Sequence, residues 1–320
     1  MKLGTPPRKL CLLLDNVLTV IKKAFMKILK SLSSLSLLCL PLLVHQAQAA
    51  VLPEAEVVTK ITLAKMPSSK PMSIAYVPIH QRYYVADGGL APMGSEMEAP
   101  ISKSQVHVYG DGGQYIQSAK PGYDNRSIYF NQVTKQLETI TYNISSNAGF
   151  SPNTGLFSLE LDDKGNLTGN SKDISGFNAA FGDASTIPTH NPETNLYYAK
   201  QGRSNLVWVV DLNKDEKIEE IKLDLKTAGV QFDDITDYYV AYTGIKGEEL
   251  AVLDVDHKAV LVFDIKGSFV AKSALPSTLK LRSQNHIAGL GYTNGLFFVY
   301  HEPEGEFGSF YGFKVSDLAK

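Results

Sequence analysis

Short runs of apolar and β-branched residues, each closed by a polar or glycine-bearing turn, recur along most of the chain, most clearly over Glu248 to Val270 (EELAVLDVDHKAVLVFDIKGSFV). One run, a tight turn, a second run, a second turn and a third run follow there, the pattern of consecutive antiparallel strands. The middle run reappears as Val106-His107-Val108-Tyr109, Phe157-Ser158-Leu159-Glu160-Leu161, Val207-Trp208-Val209-Val210, Val260-Leu261-Val262-Phe263 and Tyr311-Gly312-Phe313. Its spacing of roughly 50 residues marks a repeat architecture. Four copies run into a hairpin turn, at Asp111-Gly112-Gly113, Asp162-Asp163-Lys164-Gly165, Asp211-Leu212-Asn213-Lys214-Asp215 and Asp264-Ile265-Lys266-Gly267. These residue types tolerate positive φ or bond their own backbone.

The run before it repeats too, as Tyr84-Val85-Ala86-Asp87, Ile140-Thr141-Tyr142-Asn143, Tyr197-Tyr198-Ala199-Lys200, Ala251-Val252-Leu253-Asp254 and Phe298-Val299-Tyr300-His301. Ahead of it an inner strand is expected, seen in Ser73-Ile74-Ala75-Tyr76-Val77 and His286-Ile287-Ala288-Gly289-Leu290, where small residues let strands crowd around an axis. Four short antiparallel strands per unit, arranged radially, describe a propeller blade. The fifth unit stops after its third strand, and an unassigned strand, Val57 to Leu63, lies early in the chain. Pairing the two would remove an exposed edge. The expected fold is therefore all-β, a five-bladed β-propeller of four-stranded antiparallel blades, the last blade closed by the N-terminal strand.

Pro71-Met72-Ser73-Ile74-Ala75, Tyr84-Val85-Ala86-Asp87, Val106-His107-Val108-Tyr109 and Asp111-Gly112-Gly113 resemble the NHL-type repeat and its YVTN-type relatives, and Asp254 with Val260 to Asp264 resembles them again. Their blades read as proline, inner strand, Tyr-Val-Ala-Asp, then Val-x-Val-Phe-Asp and a glycine turn. The resemblance implies the propeller fold and little about function, because such propellers host enzymes, receptors and scaffolds alike.

Residues 1–49 read as a secretory signal peptide: Lys22, Lys23, Lys27 and Lys30 precede an apolar stretch from Leu32 to Val44, and Ala47-Gln48-Ala49 supplies small residues for cleavage before Ala50. Met26 is an alternative start. The apolar stretch, broken by Ser33, Ser34, Ser36 and Pro41, is short of the roughly 20 residues a spanning helix needs. Residues 50–320 then form a single propeller domain, exported to the periplasm or beyond and free of the membrane after cleavage. Both cysteines, Cys11 and Cys39, fall in the removed segment, so the mature chain would hold no thiol, disulfide or cysteine metal ligand. Removing seven basic and one acidic residue from totals of 31 and 33 leaves 24 against 32, a net charge of −8. That sign disfavours nucleic acid as a partner. A monomer is expected.

Long connections at Gly88 to Pro100, Asn143 to Thr154 and Glu302 to Gly308 belong to units one, two and five, whereas units three and four turn tightly at the same point. In a closed ring these three loops form one crescent, and long loops on a rigid scaffold are where binding usually sits. The leading expectation is a binding or scaffold protein that recognises a protein, peptide or glycan through blades five, one and two. The same face is expected to collect Asp87, Asn143, Lys200, Asp254 and His301 from strand ends, with Asp124, Asp183, Asp233, Asp234 and His286 from blade entries. Such carboxylates and imidazoles suit a Ca or Zn ion or acid–base roles, and equally well cap strand ends. The alternative function is thus a metal-dependent, lactonase-like hydrolase with its ion in an axial funnel, tested at Asp87, Asn143, Asp183, Asp254 and His301. His80, His107 and His190 are expected in turns or packing positions away from that funnel. No glycine-rich phosphate loop, nucleophile elbow or helical metal motif is present.

Overall fold

The computed structural model describes residues 50–63, 70–88, 104–121, 125–142, 154–183, 185–302 and 308–315. In chain order the strands begin with β1 (Ala50–Leu52) and β2 (Glu56–Thr62). A first set follows, β3 (Lys70–Val77), β4 (Arg82–Gly88), β5 (Gln105–Gly110) and β6 (Tyr115–Ala119). A second is β7 (Asn125–Asn131), β8 (Gln136–Tyr142), β9 (Thr154–Leu161) and β10 (Leu167–Asn178). A third is β11 (Thr189–Asn191), β12 (Leu196–Lys200), β13 (Leu206–Asp211) and β14 (Glu216–Lys222). The fourth is β15 (Ala241–Tyr242), β16 (Leu250–Asp254), β17 (Ala259–Phe263) and β18 (Phe269–Ala274), and the last strands are β19 (Leu290–Thr293), β20 (Leu296–His301) and β21 (Ser309–Lys314).

Each set pairs in sequence as an antiparallel meander, and β2 lies antiparallel to β21, with Ile61 opposite Phe310. The sheet β2-β21-β20-β19 continues into β3-β4-β5-β6 through a parallel pair, Leu290 with Ser73, so those eight strands are hydrogen-bonded as one. The innermost strands are mutual neighbours: β3 touches β7, β7 touches β11, β11 touches β15, β15 touches β19, and β19 touches β3. Gly291 makes the last approach possible, because a Cβ there would sit 2.8 Å from the Ile74 carbonyl oxygen. Among the described residues the fold is all-β, almost without helix, and its four-stranded antiparallel sheets make it propeller-like.

Burial follows strand rank. Every residue of β16 and β17 is buried, as expected for apolar runs covered on both faces. The outer strands β2 and β14 each bury a single described residue, Ile61 and Ile221. The main core joins Ala75, Ile128, Ala251, Leu290 and Phe297 from the first, second, fourth and last strand sets with Ile187, just ahead of β11. Turn chemistry repeats as well. Asp162 Oδ1 accepts the amides of Lys164 and Asn166 at 2.9 and 2.8 Å, Asp264 Oδ1 those of Lys266 and Ser268 at 2.9 and 2.8 Å, and glycines at φ +75° and +85° close the turns.

Two details differ from the sequence reading. His286 is not in an inner strand: Ser283–His286 forms a 3₁₀ turn, and β19 starts only at Leu290. Asn285 causes this, its Oδ1 accepting the Arg282 amide at 2.9 Å and its Nδ2 donating to the Tyr300 carbonyl at 3.0 Å. Gly289, at φ +80°, then breaks the extended run. Secondly, β1 adds a parallel fifth strand to β18, with Ala50 opposite Ala271. The segment 1–49 lies outside the described residues.

Candidate functional site

The innermost strands end around a cup of about 430 Å³ on the face that carries the first-to-second strand turns. Each strand set brings a ring to its wall: Tyr76, Tyr129, His190, Tyr242 and Tyr292. The Tyr129 ring is held rigidly. Its hydroxyl donates to the Glu138 carboxylate, the Tyr197 hydroxyl lies 3.3 Å away, and its ring stacks on His190 at 6.0 Å. Glu138 is itself buried and also accepts from Asn131 Nδ2 at 3.0 Å and Thr134 Oγ1 at 3.1 Å, so its carboxylate is committed.

Burial keeps the cup uncharged. It pushes the Tyr129 hydroxyl well above its ordinary pKa, Tyr242 up to about 12, and Tyr292 upward as well, so all three stay protonated at neutral pH. It also pushes His190 down, towards neutral imidazole, against the smaller opposing pull of its bond to Asn195. His190 Nε2 donates to Asn195 Oδ1 at 2.9 Å, leaving Nδ1 as the acceptor nitrogen. None of the described lining residues is Asp, Glu, Lys or Arg. Thr189, beside His190 on the wall, has a buried Oγ1 with no hydrogen-bond partner among the described residues. A buried hydroxyl without a partner costs about 1–3 kcal/mol, so such an atom calls for explanation.

The expected site residues lie elsewhere and have local partners. Asp87 is fully buried and meets His107 Nε2 at 3.0 Å; His107 Nδ1 meets Ser118 Oγ at 2.7 Å, which meets the Tyr115 hydroxyl at 2.9 Å. This chain has the order of a hydrolytic triad. Its imidazole is only 1% exposed, however, and its serine oxygen already has two partners, so it acts as a rivet across β4, β5 and β6. Asp254, also fully buried, accepts from the His257 amide at 3.0 Å, from His257 Nδ1 at 2.9 Å and from Lys272 at 3.4 Å. Lys200 donates to the carbonyls of Ser204 and Asp237 at 2.8 and 2.9 Å, and burial lowers its pKa to about 8.

His301 Nδ1 accepts the Lys280 amide at 3.0 Å, and burial holds its pKa below the usual value. His286 Nδ1 donates to the Ile235 carbonyl at 3.2 Å while its Nε2 lies 3.4 Å from Asp256. Asp183 accepts the Ser185 amide at 2.8 Å, Asp234 the Gln231 amide at 2.7 Å, and Asp233 is exposed. Asp124 and Asn143 lie outside the described residues. Among the described residues, no three or more of His, Cys, Asp and Glu are placed to hold a metal ion.

His190, expected away from the funnel of strand-end acids, lines a cavity all the same. The reason is that the cavity occupies the face opposite the one inferred from strand-end acids. A signal existed in the sequence: Ala75-Tyr76, Ile128-Tyr129, Thr189-His190, Ala241-Tyr242 and Gly291-Tyr292 each place a ring shortly before the first turn. Only alignment of the inner strand through every unit would expose it.

No protein-family model and no curated protein matches the chain. Among solved structures it is similar to a Bacteroides caccae protein of unknown function, at TM-score 0.35 and 14% identity, over 66% of this chain and 69% of that one. It is also similar to virginiamycin B lyase from Staphylococcus aureus, at TM-score 0.34 and 10% identity, over 81% and 74% of the two chains. Likenesses of this strength carry nothing about activity.

Proposed function

We propose that residues 50–320 are an exported five-bladed propeller, its last blade completed by β2, that binds a ligand in the central cup. The observation carrying the binding reading is the convergence of a ring from every strand set on one cavity. Concave, largely pre-formed cavities with a few convergent polar groups are the usual form of ligand sites. The loop crescent of units one, two and five falls mainly outside the described residues, so the cup is the better-supported surface. A metal-dependent hydrolase has less behind it, because the buried acids are already bonded within their own surroundings.

A single thiol tests the cup. Gln132 lines its mouth and is exposed. Both natural cysteines precede residue 50, so Gln132→Cys in the exported protein would carry the sole thiol, with the unsubstituted protein as the labelling blank. A cup ligand in envelope extracts of the producing cells should slow maleimide labelling of this thiol. Equal labelling in every fraction would end the proposal. Ring completion is tested separately by removing residues 50–63: losing the buried Ile61 and Leu63 forfeits about 1.5–3 kcal/mol each, and an unchanged Tm would refute closure through β2.

A further inference from the structure

We infer that the cup receives the uncharged end of a glycan, one pyranose unit lying against the tyrosine rings; this rests on the cup being a binding site. Charge is the first discriminator. An anionic or cationic group entering this cavity would lose its water and find no formal counter-charge among the described lining residues, and an unpaired buried charge is strongly disfavoured. Phosphorylated ligands, nucleotides and charged peptide ends fit poorly for that reason. A purely apolar ligand fits poorly for the converse one, because it would cover the polar lining, Gln132, Thr293 and Asn294 among it, without giving it a partner.

What remains is a neutral molecule with both hydroxyls and apolar C–H faces. Tyrosine rings present electron-rich faces to C–H hydrogens and hydroxyls at their edges. Tyr76, Tyr129, Tyr242 and Tyr292 supply such rings from different strand sets, and neutral His190 adds an acceptor nitrogen to the wall. The Tyr129 face is set in advance by Glu138 and Tyr197, which lowers the ordering cost of binding. Shape is the second discriminator. Walled by strands from every set, the cup takes a polymer end-on rather than along a groove. A peptide end carries an amine or a carboxylate; the non-reducing end of a neutral glycan carries only uncharged hydroxyl and amide groups. The volume, about 430 Å³, lies within the range of roughly 300–1,000 Å³ usual for small-ligand sites.

The test uses glucose, galactose, mannose and N-acetylglucosamine, their β-linked disaccharides and glucuronate, with the exported protein and two variants, Tyr242→Ala and Tyr292→Ala. Ligand-observed NMR gives affinities, and maleimide protection of Gln132→Cys reports on the cup itself. At least one neutral sugar should bind and protect the thiol, glucuronate should bind roughly tenfold more weakly than glucose if glucose is bound, and Tyr242→Ala should weaken binding roughly tenfold. Tyr292→Ala should weaken it independently, which guards against one variant misfolding. If extract fractions protect the thiol, and protection is abolished by protease yet survives periodate cleavage of vicinal diols, the glycan inference falls while the cup remains a binding site. Protection lost to periodate and kept after protease supports it. Protection by no sugar and no fraction overturns both.

Discussion

Two regions of this protein gather polar residues near the inner ends of the sheets, and they use them in opposite ways. At the ends of the second strands, Asp87, Lys200, Asp254 and His301 are buried and bonded to a neighbouring side chain, amide or carbonyl. At the first-turn end, Thr189 keeps a buried hydroxyl without a described partner beside a cavity walled by rings. The first region has the residue types of catalysis and the behaviour of reinforcement. The second has unremarkable residue types and the behaviour of a site. A polar group already satisfied inside the protein has little left to offer a ligand, whereas an unsatisfied one gains by meeting it.

The contrast is sharpest at His107. Replacing it with alanine leaves Asp87 buried beside a void and unties three strands, so we expect a loss of about 3–5 kcal/mol in urea unfolding. A loss under about 1 kcal/mol would mean that the chain Asp87–His107–Ser118 is not reinforcement and would reopen it as chemistry. Thr189→Val should do the reverse. Losing an unpartnered hydroxyl at nearly constant volume should leave stability unchanged or raise it by about 1 kcal/mol. Destabilisation by a similar amount would show that the hydroxyl has a structural partner after all.

The smallest effect concerns pH. Burial lowers the pKa of both His190 and His301 below 6.5, so the unfolded chain takes up protons first as pH falls. Stability from these groups is complete above pH 6.5 and declines as pH drops from there towards their folded values. Tm should fall by a few °C between pH 7 and 5, with a shallower slope in His190→Gln. An identical slope in that variant would remove His190 from the account.

Much of the architecture is legible in local sequence. Alternating apolar runs and Asp-led turns recur because each strand and hairpin is specified by residues a few positions apart, such as Asp264 with Lys266 and Ser268. The clearest copies of the repeat mark β3 to β5 and β16 to β17 for the same reason. The inner strand of the last unit was harder to read, since Ile287-Ala288-Gly289 looks extended until Asn285 finds the Tyr300 carbonyl and Gly289 turns to positive φ. Nor does local pattern reveal that β1 joins β18, a parallel pairing across more than two hundred residues.

The candidate site was the least legible part. Residue type directed attention to acids and histidines at strand ends, but their availability depends on distant groups: Lys200 on the Asp237 carbonyl, His286 on the Ile235 carbonyl. Sequence by itself determined the strands, their turns and the repeat, because φ preferences, alternation and Asx bonding act within a few residues. Tertiary structure alone decided which polar groups are satisfied and which face holds the cup, because hydrogen-bond partners and cavity walls are assembled from strands that are remote in the chain, as Tyr129 with Tyr197 and His190 demonstrates.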